Sequence, residues 1–172
     1  ADHVMKGHEA PVLACAFSEE SDIIASGDSA GLVFEWEEGD DTPLHRHQAH
    51  TGAVRSLASH GDKDLFASGG EDGKVRIWKA ARFQSGRVLN AHSGSVTALA
   101  FSPDGATLAT GGRDRSVKLR NVADGQEIKR LEGHEQFISS LDFHRDGIRL
   151  LSASGDRSMR LWDTSTGKVV QT

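Results

Sequence analysis

His50, Ser68 and Asp72 carry the three side chains that a hydrolytic triad combines: an imidazole base, a hydroxyl nucleophile and an orienting carboxylate. The same set returns as His134, Ser152 and Asp156, and a close variant as His92, Thr110 and Asp114. An active site is needed once, so this recurrence points to structure rather than catalysis. His45, His47 and His50 read as a second kind of chemistry, H-x-H-x-x-H. On a strand the first two would share a face. No cysteine pair or acidic cluster accompanies them, so no metal is expected, nor any other cofactor. The single cysteine, Cys15, lies in an apolar run and reads as a small core residue. It has no second cysteine to pair with, which fits a reducing compartment. No glycine-rich phosphate loop is present; Gly69-Gly70 and Gly111-Gly112 fall at strand-to-turn positions.

These residues stand on a strict grid. His8, His50, His92 and His134 are spaced by 42 residues each time. Trp36, Trp78 and Trp162 keep the same interval, with Arg120 filling the third slot. Ala-Ser-Gly at 25–27 matches Ala-Ser-Gly at 67–69 and Ala-Thr-Gly at 109–111. The 172 residues are therefore four units of 42 plus four more, with no insertion or deletion. The units divide at about 1–42, 43–84, 85–126 and 127–168, and 169–172 complete a last strand. Each unit offers four short strands joined by Gly/Asp turns. In the third they are Val96 to Phe101, Thr107 to Gly111, Ser116 to Asn121 and Gln126 to Leu131. No stretch has helical periodicity.

A period in the low forties, a Gly-His pair near the start of each unit and a Trp-Asp pair near its end resemble the WD repeat. The opening pairs are Gly7-His8, Ala49-His50, Ala91-His92 and Gly133-His134. The closing pairs are Trp36-Glu37, Trp78-Lys79, Arg120-Asn121 and Trp162-Asp163. The resemblance covers essentially the whole chain. It implies an all-β propeller with four blades of four antiparallel strands, either half of an eight-bladed ring or a fragment of a larger propeller. It also implies a structural network in which Asp orients His, His bonds a strand hydroxyl, and the Trp indole completes the chain. On that template the second unit (His50, Ser68, Asp72, Trp78) and the fourth (His134, Ser152, Asp156, Trp162) are complete. The third has His92, Thr110 and Asp114 but Arg120 for Trp; the first has His8, Ser26 and Trp36 but Ala30 for Asp.

The resemblance puts partner contacts on the face carrying the loops that lead into the innermost strands. Candidate residues there are Phe137, Arg113, Glu135, Glu71 and Glu9. Phe137 stands out as a large aromatic at a loop position, and Arg113 as a residue type enriched in interfaces. The expected function is a non-catalytic scaffold that binds a protein or peptide. The alternatives are a propeller enzyme with a site at the channel mouth, or a purely structural tandem or oligomerisation domain.

Net charge is −5, which gives no electrostatic case for nucleic acid or an anionic membrane. No apolar run reaches the roughly 18 residues of a membrane span, and no targeting signal is visible, so a cytoplasmic location is expected. Four blades would leave two raw faces of core-type residues, such as those of Val12 to Phe17 and Ile138 to Phe143. Self-association of two copies into a larger ring would cover both.

Overall fold

A computed structural model describes residues 4–18, 22–79 and 84–172. It contains four four-stranded antiparallel sheets, each with its strands in sequence order. Blade 1 consists of β1–β4 (Val12–Ser18, Ile23–Asp28, Leu32–Glu37, His45–Gln48) and blade 2 of β5–β8 (Val54–His60, Leu65–Gly70, Lys74–Lys79, Gln84–Asn90). Blade 3 consists of β9–β12 (Val96–Phe101, Thr107–Gly112, Val117–Asn121, Glu127–Leu131) and blade 4 of β13–β16 (Ile138–Phe143, Arg149–Ser154, Met159–Asp163, Val169–Gln171). The expected all-β architecture is thus observed, with one short 3-10 turn at Gly61–Lys63.

The innermost strands pack in series, β1 on β5, β5 on β9 and β9 on β13. Their register with the second strands shifts once, between Val12 and Ala14 in blade 1 and at the matching place in the others. Each such bulge bends the innermost strand beside the loop that precedes it.

The core is divided into layers between blades. Ala25, Val33 and Val54 pack with Phe66 and Trp78 between blades 1 and 2. Val75, Ile77, Val96 and Leu108 pack between blades 2 and 3. Val117, Leu119, Ile138 and Trp162 pack between blades 3 and 4. Each junction seats one β-branched side chain against a glycine. A Cβ at Gly27, Gly69 or Gly111 would come within 2.5–2.7 Å of Val54, Val96 or Ile138 respectively. Glycine there permits close approach of the two backbones.

Cys15 corrects the sequence expectation. It is exposed, because it faces away from blade 2 on the first blade's open side. Val12 and Phe17 share that side, at 51% and 43% exposure. On the last blade's open side Met159 is 61% exposed and Leu151 is exposed as well. The matching residues inside the arc, Val117 and Ala109, are fully buried.

Candidate functional site

Two polar arrangements recur in the blades. The first ties the loop ahead of each innermost strand to the middle strands. His50 Nδ1 lies 3.0 Å from Asp72 Oδ1 and its Nε2 2.8 Å from Ser68 Oγ, to which Trp78 Nε1 donates at 3.1 Å. In blade 4 the corresponding distances, from His134 to Asp156, to Ser152 and from Trp162, are all 2.7 Å. An indole N–H can only donate, so the serine oxygen accepts from it. The imidazole bridges this hydroxyl and the carboxylate through its two ring nitrogens. Burial holds His50 and His92 below the usual histidine range in spite of the carboxylate beside each. Burial alone would raise Asp114, yet the facing His92 and the Ser116 hydrogen bonds outweigh it and bring the carboxyl to about 2. Ser68 and Ser152 are fully buried, so neither hydroxyl is presented to a substrate.

Blade 1 departs from the grid. Ala30 was expected to leave its network without a carboxylate, but Asp28 supplies one. His8 Nδ1 lies 2.7 Å from Asp28 Oδ2, and His8 Nε2 lies 2.7 Å from Ser26 Oγ, which accepts from Trp36. Asp28 Oδ1 also accepts from the backbone N–H groups of Ala30 and Leu32. The corresponding position in blades 2 and 3 is glycine, and a Cβ at Gly70 would lie 2.3 Å from His50 Nδ1. The carboxylate thus comes from position 28 of the repeat in blade 1 and from position 30 in the other three blades.

Blade 3 departs differently. His92 meets Asp114 and Thr110 at 2.8 Å each. Arg120, in the slot that holds Trp in the other blades, is buried. Its guanidinium donates to the carbonyls of Gly125, Asn90 and Ala91 and pairs with Glu127 at 3.3 Å. Lys118 adds a hydrogen bond to the Ala91 carbonyl, as Arg76 does to that of Ala49. Neither basic residue was anticipated from sequence, because backbone carbonyls leave no trace in composition.

The second arrangement aligns the two kinds of loop on which the candidate partner residues sit. One backbone bond repeats in all blades: Ser29 N to Pro11 O, Glu71 N to Ala53 O, Arg113 N to Ser95 O and Gly155 N to Phe137 O. It aligns the turn after each second strand with the loop before each innermost strand. Phe137 lies across Gly155, whose added Cβ would be 2.6 Å from the ring, and remains 42% exposed. Glu71 forms an ion pair with Arg55 and has its carboxyl lowered, chiefly by that hydrogen bond, with the nearby Arg113 adding to the effect. Arg113, Glu71, Glu9 and Glu135 are all exposed.

The family model described as "WD domain, G-beta repeat" matches residues 2–37, 41–79, 83–121 and 125–163. The chain belongs to the WD40 repeat family. WD40 repeat domains generally serve as protein-interaction scaffolds. Two solved structures share the fold: "Structure of U3-55K" and "Crystal structure of RRP9 WD40 repeats", each with a TM-score of 0.90 and 25% sequence identity. The alignments cover 98% of this chain and 53% and 52% of those chains, so it spans about half their length. No curated protein matches by sequence.

In WD40 terms, the histidine motif at 45, 47 and 50 divides. His45 pairs with Glu35 at 2.7 Å, and its ring stacks with His47 on β4. His50 belongs to the blade 2 network. Among the described residues no group of three His, Cys, Asp or Glu side chains is placed to hold a metal. No helix among them is long and apolar enough to cross a membrane.

Proposed function

We propose that this WD40 arc is a non-catalytic scaffold that binds a protein or peptide on the face carrying Phe137, Arg113, Glu71, Glu135 and Glu9. The observation that carries it is Phe137, a half-exposed aromatic ring packed against Gly155, whose N–H bonds the Phe137 carbonyl. A rigid aromatic anchor surrounded by polar groups is the composition of an interface hot spot. The four His networks act as internal ties. Their hydroxyls are buried and their protons are committed, so they fix the loops that display this face.

Selection of a displayed random peptide library against the chain tests the proposal. Selected peptides should lose about tenfold or more in affinity on Phe137→Ala and on Arg113→Glu, with melting temperatures unchanged. Peptides whose affinity ignores both changes would overturn it.

A second reading concerns the open sides of the arc. Their exposed apolar residues favour burial against further blades. Pairing with a second copy in an eight-bladed ring would bury both at once.

A further inference from the structure

The outer rims of neighbouring blades occupy equivalent positions of the repeat but carry different residues. Between blades 2 and 3 lies a crevice of about 400 Å³. Leu65, Ile77 and Val122 form its apolar surface together with Trp78; Lys63, Lys79 and Arg87 line it as well, and among the described residues no lining residue is acidic. The 42-residue grid shows how particular this is. Where this crevice has Ile77, Lys79 and Arg87, the one between blades 1 and 2 has Glu35, Glu37 and His45. The one between blades 3 and 4 has Leu119, Asn121 and Lys129, with Thr164 in place of Val122. Three cations over an aliphatic floor are therefore confined to one rim position of a chain whose net charge is −5.

Arg87 is already held in place. It donates to the carbonyls of Ala123 and Asp124, at 2.7 and 2.8 Å, and so clamps the blade 3 turn that forms one wall. The wall is thus built before any partner arrives, which lowers the ordering cost of binding. Lys63 and Lys79 are exposed and, among the described residues, form no ion pair, so their charges face solvent at the mouth.

We propose that this crevice between blades 2 and 3 is a second peptide-docking site, for a segment with one aliphatic anchor residue flanked by Asp or Glu. The anchor would lie against Leu65, Ile77 and Val122. The flanking carboxylates would meet Lys63 and Lys79. The apolar floor selects a side chain rather than a bare anion, and the cationic mouth selects the sign of what flanks it.

Titration of acetyl-Asp-Glu-Leu-Asp-Glu into the methyl-labelled chain, followed by NMR, tests this. Chemical shifts of the Leu65, Ile77 and Val122 methyls should move together and saturate, and added salt should weaken the binding. Lys63→Glu with Lys79→Glu should reduce affinity about tenfold or more; Arg87 is left intact because it holds the turn. Replacing the peptide's leucine by serine should abolish the methyl shifts, a readout that does not depend on any protein variant. The proposal is overturned if those methyls stay still, if the serine peptide binds equally well, or if an oligouridylate moves them and the peptide does not. The experiment is independent of Phe137, so its failure leaves the face proposed above untouched.

Discussion

Asp28 reaches His8 Nδ1 at 2.7 Å from a position two residues earlier in the repeat than Asp72, Asp114 and Asp156 occupy. Blade 1 has Asp28 and Ala30 where blade 2 has Gly70 and Asp72. The two pairs are alternative solutions to one requirement, a single carboxylate against the imidazole. Asp28→Gly should cost about 1–3 kcal/mol by stranding a buried donor. Adding Ala30→Asp to that variant should recover most of the loss, whereas Ala30→Asp alone should destabilise by crowding two carboxylates. Urea unfolding of the three variants checks this; a double variant no more stable than Asp28→Gly would refute the equivalence.

Asp72, Asp114 and Asp156 should matter about equally. Blade 3 lacks the Trp that completes the network in the other blades. Asp114 nevertheless accepts from His92, from the Ser93 and Ser116 amides and from the Ser116 hydroxyl. Asp114→Ala should therefore cost about 1–3 kcal/mol, as should Asp72→Ala. A melting temperature for Asp114→Ala equal to that of the unaltered chain would contradict the argument.

Acid should weaken the fold in two stages. His50 and His92 titrate lower in the folded chain than in the unfolded one, because burial disfavours their charged forms. The unfolded state then takes up protons first as pH falls, so their contribution is whole above about 6.5 and fades below it. Asp72 and Asp114 are also lowered, Asp114 to about 2. Their contribution is present above the ordinary carboxylate value and is lost from about pH 4 downward. Denaturant midpoints measured at steps from pH 8 to 3 should fall over both ranges. In a His92→Gln variant the first fall should shrink; an unchanged profile between pH 7 and 5 would speak against a neutral buried His92.

Arg120 holds blade 3 by hydrogen bonds to backbone carbonyls and an ion pair with Glu127. Removing it by Arg120→Ala leaves the carbonyls of Asn90 and Ala91 with fewer donors and unpairs one side of Glu127. A loss of about 1–3 kcal/mol is expected, measured by thermal or urea unfolding. A neutral effect would mean that Arg120 is only a tolerated loss of Trp.

How much of this was legible follows from what a column of aligned residues can carry. The strand Val96 to Phe101 was read at its observed limits, because an apolar run between turn residues marks both ends. The candidate partner residues fell on equivalent loops because the repeat never slips. A column could not show Asp28 at work, since the side chain that reaches His8 belongs to a different column from its counterparts. The signal was nonetheless present, in the exchange of Gly-x-Asp at 70–72 for Asp-x-Ala at 28–30. Arg120 was opaque for another reason: its partners are mostly main-chain carbonyls, which every residue has. Cys15 is exposed although its run is apolar, because β1 has a neighbouring blade on one side only.

The open sides give the last prediction, that two copies associate through them. Val12 on one side, and Leu151 and Met159 on the other, occupy positions that the inner blades bury, and Phe17 one that they half-bury. Burying such residues gains about 25 cal/mol per Å², and two junctions closed together would share one association cost of on the order of 4–15 kcal/mol. One detail makes these junctions weaker than the internal ones. Ala153 stands where Gly27, Gly69 and Gly111 receive a β-branched side chain, so Val12 of a second copy would meet a Cβ. Ala153→Gly should therefore tighten the pair, and Met159→Asp should break it by placing a charge in the contact. Light scattering across micromolar concentrations should give twice the chain's mass, with dissociation on dilution. A single-chain mass at every concentration, together with a cooperative melt that does not depend on concentration, would rule the pairing out and leave the open sides to be covered by blades of other sequence.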